Sequence, residues 1–219
     1  MKIKAVGFDI DGTLYPNFSM YVRSSSSFLS HPRLVYHFGK VRKEVRKTEY
    51  SGHFRDNQAK LLGYSMKISQ EKAANMIERY LYQKWVYSFE GVKPFKTVRP
   101  ALLSLKREGL KLGALSDFPV EKKLEFLGLS DLMEIAFSSE ETGHLKPHNA
   151  PFINLISKLG VNPEEILYVG NSYKYDILGA KQVGLRTAHL VKKAKSDSQA
   201  DFSFHSFIDL RDWILSINH

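Results

Sequence analysis

The hydrophobic pattern divides the chain into three textures. A short apolar run, Ile3 to Phe8, has the length of a buried strand and turns abruptly polar at Asp9-Ile10-Asp11-Gly12-Thr13. Between residues 17 and 97 the spacing is helical. Leu34, Phe38, Val41 and Val45 share one face of the run Arg33 to Thr48, while Lys40, Arg42, Lys43, Arg46 and Lys47 fill much of the remaining surface. Ser69 is placed to cap a second helix striped by Ala73, Met76, Ile77, Tyr80 and Leu81. The polar run Ser24 to Ser27 suits a loop or hinge. Trp85, Tyr87 and Phe89 are expected to pack this segment internally.

From Val98 onward, helix and strand alternate. A helix carrying Leu102 and Leu105 ends at Gly109, and strands are expected over Leu110 to Leu115, Ile135 to Phe137, Ile166 to Val169 and Leu185 to Leu190. Helices are expected over Glu121 to Leu127, around Phe152, Leu155, Ile156 and Leu159, and from about Asp176 to Val183. Lys192 to Gln199 reads as a surface loop, and Ser206 with Asp209 as a capping box before Phe207, Leu210, Ile214 and Ile217. Repeated units of this kind imply an α/β fold, with a Rossmann-like, mostly parallel sheet covered by helices on both faces. Ligands of such sheets sit beyond the carboxyl ends of the strands. Asp9, Asp11, Ser116 and Asn171, with Asp176 just beyond, are therefore expected to meet in one crevice.

Composition narrows the picture. The chain has 219 residues and no cysteine, which removes disulfides, thiolate metal sites and cysteine nucleophiles together. The apolar run at the N-terminus is cut by Asp9 before a signal-peptide core is complete, and no stretch reaches membrane-spanning length. A cytoplasmic protein without a membrane partner is the expectation. The net charge of +9 is localised: residues 17–97 hold 15 Lys and Arg against 6 Asp and Glu, and the remaining chain holds 17 of each. A basic segment facing an acidic site would steer anionic substrates. No nucleic-acid-binding motif accompanies the charge, so no nucleic-acid partner is expected. The eight histidines form no zinc-spaced set.

Asp9 and Asp11, one residue apart at a strand end, point roughly the same way, and their repulsion raises one pKa unless a cation lies between them. A magnesium ion suits that need. Gly12 permits a turn and close approach of the backbone to a ligand, and Thr13 brings a hydroxyl.

Four segments carry a resemblance. Phe8-Asp9-Ile10-Asp11-Gly12-Thr13-Leu14, Leu115-Ser116-Asp117, Leu145-Lys146-Pro147 and Tyr168 to Asp176 resemble, in order and spacing, the four motifs of the haloacid dehalogenase superfamily in its phosphatase branch. The resemblance implies a core domain of residues 1–16 and 98–219 and a helical cap domain of residues 17–97. It implies Asp9 as nucleophile, forming an aspartyl phosphate, and Asp11 as acid and base with a raised pKa. Ser116 and Lys146 would act on the phosphoryl group, with Gly12, Thr13 and Asp117 beside it. Magnesium would be held by Asp9, Asp11, Asp176 and Asn171.

The implied reaction is hydrolysis of a small phosphorylated metabolite by a monomer or homodimer. Leu14-Tyr15-Pro16 resembles the pyrimidine 5′-nucleotidase-like subgroup, which commonly has Asn where this chain has Gly12. Nucleotide monophosphates, sugar phosphates and phosphoglycolate are candidate substrates. One departure stands out: the family's fourth motif usually begins Gly-Asp, and here it is Gly170-Asn171. That change leaves a dehalogenase-like hydrolase and a catalytically weakened binding protein as rivals.

Overall fold

A computed structural model describes residues 2–49, 52–191 and 198–219, apart from the side chains at 21, 24, 26–28 and 85. Six strands form one sheet: β1 (Ala5–Phe8), β2 (Lys111–Ser116), β3 (Ile135–Ser138), β4 (Ile166–Gly170), β5 (Arg186–Leu190) and β6 (Phe202–Phe204). All pair in parallel in the order β3-β2-β1-β4-β5-β6. The order reverses beside β1, which lies between β2 and β4, and this places the switch point of the sheet directly after Phe8.

Between β1 and β2 the chain is helical: α1 (Asn17–Ser30), α2 (Pro32–Val45), α3 (Phe54–Met66) and α4 (Gln70–Met76), then a π-helical turn Ile77–Gln83 and the short α5 (Lys84–Val86). The remaining helices are α6 (Val98–Arg107), α7 (Glu121–Phe126), α8 (Asn149–Leu159), α9 (Leu178–Lys181) and α10 (Phe207–Asn218).

Both faces of the sheet are covered, as strands buried on two sides require. Val6, Phe8, Leu112, Leu167 and Val169 pack with Leu102 and Leu105 of α6 and with Phe207, Leu210 and Ile214 of α10. On the opposite face Ala5, Leu115, Ile166 and Tyr168 meet Phe152, Leu155 and Leu159 of α8 and Ala180 of α9. The helical segment has a third cluster of its own, built on Leu34, Phe38, Val41, Val45, Leu62, Ala73, Ile77 and Leu81, which Leu145 joins from the loop before α8.

Local chemistry explains several helix starts. Ser69 accepts the Lys72 N–H at the start of α4, and Ser206 and Asp209 form a reciprocal capping box on α10.

Four expectations need correction. Ser24 to Ser27 lie inside α1 rather than in a hinge, because the chain continues helically on both sides of the serines. Arg42, expected on the solvent face of α2, is buried. The helix expected from about Asp176 to Val183 instead begins earlier, as a π-helical turn Tyr173–Ile177 that starts where the Ser172 side chain accepts the Tyr175 N–H, and continues as α9 to Lys181. β6 has no counterpart in the expected elements; it is three residues long, too short to show a period. Tyr87 is exposed, whereas Phe89 is buried edge-on against Tyr15. The side chain of Trp85 and most of the expected loop, residues 192–197, lie outside the described residues.

Phe152 is fully buried and meets Tyr168 edge to face at 5.0 Å, at the junction of α8 and β4. Phe152→Ala is expected to lower unfolding stability by about 3–5 kcal/mol, because a core cavity adds to the lost transfer energy. A urea titration checks the value.

Candidate active site

The carboxyl ends of β1, β2 and β4 bring the predicted residues together. Asp9 follows β1 directly and is 5 % exposed. Its Oδ1 accepts from Lys146 Nζ at 2.7 Å and its Oδ2 from Thr13 Oγ1 at 2.6 Å. Lys146 also donates to Asp176 Oδ1 at 2.7 Å and to the Tyr168 hydroxyl at 3.2 Å. Asp176 Oδ2 accepts the Ser172 N–H at 2.9 Å. Asp176 lies on the β4 backbone: a Cβ on Gly170 would fall 2.3 Å from Asp176 Cβ, so only glycine fits there. Gly12 has φ 85°, and a Cβ on it would meet the amide nitrogens of Asn171 at 2.3 Å and Asn17 at 2.4 Å. The Asn171 side chain therefore sits beside the turn that follows Asp11.

Asp11 has a separate set of partners. Its Oδ2 accepts from Ser116 Oγ at 2.6 Å and Lys123 Nζ at 2.6 Å, and its Oδ1 from Tyr15 Oη at 2.6 Å and Lys123 Nζ at 2.9 Å. The two aspartates thus face different lysines, Asp11 facing Lys123 and Asp9 sharing Lys146 with Asp176.

Their titration differs accordingly. Burial, with Asp176 and Asp11 nearby, pushes the Asp9 carboxyl up to about 7 against the opposing charge of Lys146. Burial also favours neutral Asp11, but the Lys123 charge and the bonds from Lys123, Ser116 and Tyr15 prevail and lower its pKa. The expected elevation at Asp11 is therefore corrected: its resting environment favours the carboxylate, and the raised group is Asp9. Burial disfavours the Lys146 ammonium, yet Asp176 and Asp9 raise its pKa well above the ordinary lysine value.

Asp117 also departs from expectation. Its carboxylate accepts from Arg46 at 2.7 Å, from Ser139 Oγ at 2.6 Å and from the Lys146 N–H at 3.1 Å. An anion so engaged repels phosphate; it ties α2 to the loops after β2 and β3. Arg42 extends the tie by donating to Glu140, to Gln58 Oε1 at 3.0 Å and to the Asp117 carbonyl. Tyr82 donates to the same Glu140 oxygen at 2.8 Å.

Lys123, Arg46 and the hydroxyls of Tyr15 and Tyr168 were not singled out by the sequence. For Lys123 the available signal is weak: it stands four residues before buried Leu127, on the inward face of α7, whereas neighbouring Lys122 is exposed. Folding also gathers Glu49, His144 and His148, whose ligating atoms lie within 4.8 Å of one another, a grouping invisible in their spacing. His148 Nδ1 accepts the Ala150 N–H. In the neutral ring its Nε2 then carries the proton toward Glu49 Oε1 at 3.1 Å, and the His144 ring stacks on His148 with centroids 3.7 Å apart.

With this geometry established, likeness to known proteins becomes informative. The sequence profile of haloacid dehalogenase-like hydrolases matches residues 3–184. The chain belongs to that family. A glyceraldehyde 3-phosphate phosphatase of Methanopyrus kandleri is 31 % identical over 212 residues, covering 90 % of this chain and 88 % of that protein. Pyrophosphatase PpaX of Bacillus cereus (strain AH820) is 29 % identical over 191 residues, covering 86 % and 83 %. Among solved structures, a 2-haloacid dehalogenase from Pseudomonas syringae pv. tomato superposes with a TM-score of 0.74 at 22 % identity, covering 98 % and 99 %, which speaks to the fold. Among the described residues, no helix is long and apolar enough to cross a membrane.

The position of Asp117 predicts a pH effect. Burial works against its charge, but Lys146, Arg46 and Arg42 hold its carboxyl down at about 2, against 3.8 for an ordinary aspartate. A depressed pKa stabilises the fold above pH 4, and that contribution, on the order of 2 kcal/mol, is lost as pH falls through about 2. Asp117→Asn is expected to be less stable than the parent at pH 6, with the gap narrowing between pH 4 and 3 in urea titrations. A constant gap contradicts the assignment.

Proposed function

We propose that this chain is a magnesium-dependent phosphomonoester hydrolase acting on small phosphorylated metabolites, with Asp9 as the phosphoryl acceptor. The observation that carries the reading is the buried array Thr13–Asp9–Lys146–Asp176 at the switch point of the sheet, beside an aspartate with its own cation. The names of the two sequence relatives, a phosphatase and a pyrophosphatase, support phosphate chemistry.

The donor set fits magnesium. Asp9 and Asp176 share the single ammonium of Lys146, and Asp9 is pushed up to about 7, as expected of a carboxylate still short of positive charge. Oxygen ligands from Asp9, Asp176, the Asp11 main chain and Asn171 suit a hard cation. When bound, the ion supplies charge neutralisation for the phosphate and keeps Asp9 ionised.

A carboxylate oxygen of Asp9 attacks phosphorus in line, the bond from phosphorus to the ester oxygen breaks, and the leaving oxygen takes a proton. Water then attacks phosphorus of the aspartyl phosphate, giving inorganic phosphate and restoring Asp9. Asp11, ionised at rest, takes a proton from the monoanionic phosphate ester as it binds, gives that proton to the leaving oxygen, and then accepts one from the attacking water, which is released as the site returns to rest. Ser116 donates to a phosphoryl oxygen once its bond to Asp11 is exchanged. Lys146 holds a fixed positive charge against the transferring group. Residues 17–97 act as a cap, anchored to the core by Arg42 and Arg46, that closes over substrate and excludes water.

A dehalogenase reading draws on Asn171 and on fold likeness. It leaves the Asp11–Lys123–Ser116 array without a task, and we favour phosphate ester hydrolysis.

Purified protein is expected to hydrolyse p-nitrophenyl phosphate only with magnesium, and Asp9→Asn to lose at least about 1,000-fold in kcat while remaining folded. Turnover independent of metal, or retained in the variant, overturns the assignment. Asp11→Asn is expected to impair alkyl phosphates more than p-nitrophenyl phosphate, whose leaving group departs without a proton. Comparing kcat on the two esters tests that role.

A further inference from the structure

A cavity of about 390 Å³ opens onto Asp11 between the helical segment and the sheet. Its apolar walls are Met20 of α1, Val35 and Phe38 of α2, Leu81 of the π-helical turn and Phe118 after β2. Two arginines also reach it, but their hydrogen bonds are directed elsewhere. Arg46 donates to the Lys146 carbonyl, to the Arg42 carbonyl and to Asp117. Arg42 is held by Gln58, Glu140 and the Asp117 carbonyl, and its flat guanidinium lies 4.3 Å from the centre of the Phe118 ring. Among the described residues, Asn17 is the one uncharged polar side chain in the wall.

We propose that this cavity takes the leaving group, and that the substrates it selects are phosphate monoesters of apolar, ring-sized alcohols rather than of sugars or polyols. The proposal rests on the phosphatase reading and refines it. Asp11 is the group assigned to protonate the leaving oxygen, so the space adjoining its carboxylate is where that oxygen's substituent must lie. A polyol in this space would surrender water at each hydroxyl and find, among the described residues, one carboxamide and two arginines whose terminal nitrogens already bond Gln58, Glu140, Asp117 and main-chain carbonyls, while the partnerless Arg42 Nε is itself buried. A benzyl or comparable group would meet the two aromatic rings of Phe38 and Phe118 and the aliphatic side chains of Met20, Val35 and Leu81. Phe38 is then a specificity-determining residue: it packs in the core of the helical segment while its ring forms part of the cavity wall.

The test uses the full chain with magnesium and alkyl esters, so that the acidity of the leaving group is similar throughout. Benzyl phosphate is compared with methyl phosphate, glycerol 3-phosphate, glyceraldehyde 3-phosphate and ribose 5-phosphate, with p-nitrophenyl phosphate as a general activity probe. We expect kcat/KM for benzyl phosphate to exceed that for each polar ester by at least about tenfold. Phe38→Trp, which narrows the cavity, should lower the ratio of kcat/KM for benzyl over methyl phosphate about tenfold, chiefly through KM. Equal or better turnover of any of the three polar esters overturns the proposal and leaves the phosphatase reading standing, and so does an unchanged ratio in folded Phe38→Trp. Failure to turn over any ester, p-nitrophenyl phosphate included, overturns both.

Discussion

The burial of like charges at the end of β1 is the constraint from which the rest of the structure follows. An isolated carboxylate in a closed crevice is costly, and removing one partner from a buried pair leaves the other uncompensated. Here Asp9 and Asp176 meet over Lys146, and Asp11 meets Lys123. Each lysine comes from a different loop or helix, before α8 and within α7, so the site closes only when the whole sheet is assembled in the order that puts β2 and β4 against β1. The dense apolar packing on both faces holds those loop ends in place. Tyr168 illustrates the coupling: its ring packs edge-on against Phe152 of α8 while the hydroxyl of the same ring accepts from Lys146.

The helical segment is bound to that site by charge as well as by packing. Arg42 is buried among Phe38, Phe54 and Phe118 and reaches Glu140 and the Asp117 carbonyl, while Arg46 reaches Asp117 and the Lys146 carbonyl. The chain segment from Ser116 to Phe118 is thereby shared. Ser116 faces Asp11, Asp117 faces the arginines and Phe118 forms part of the cavity wall. Movement of α2 relative to the sheet would act on Ser116 and Asp11 and on the cavity beside them together. The basic excess of residues 17–97 consequently has two parts: Arg42 and Arg46 are structural ties, and Lys40, Lys43 and Lys47 remain exposed, where they contribute to the long-range field.

Much of this was legible in the sequence, for identifiable reasons. Strands buried on both faces leave short apolar runs, and the polar residues at their ends stand out against them, so Asp9, Asp11, Ser116, Asn171 and Asp176 were legible from pattern, whereas Lys146, in a loop, was legible only through the motif it shares with the family. Capping serines announced α4 and α10. What stayed hidden depends on tertiary partners. Nothing local separates Lys123 from Lys122 beyond helical phase, and a periodic apolar stripe on α2 makes Arg42 look like a solvent-facing residue. The Asp11 environment was anticipated from its intended chemistry, yet the charge state follows from Lys123, which sequence reasoning had not placed beside it. Glu49, His144 and His148 converge from two distant segments, and no spacing rule reports such a meeting.

The account's central claim is that Asp9, the carboxylate that burial drives up to about 7, becomes the covalent carrier of phosphate. Acid quenching of the enzyme during turnover of p-nitrophenyl phosphate with magnesium, followed by digestion and mass spectrometry, tests it directly. The account predicts a phosphoryl adduct on the peptide containing Asp9 that disappears when substrate is exhausted. An adduct on another residue, or continued turnover with Asp9 unmodified at every quench time, would contradict it.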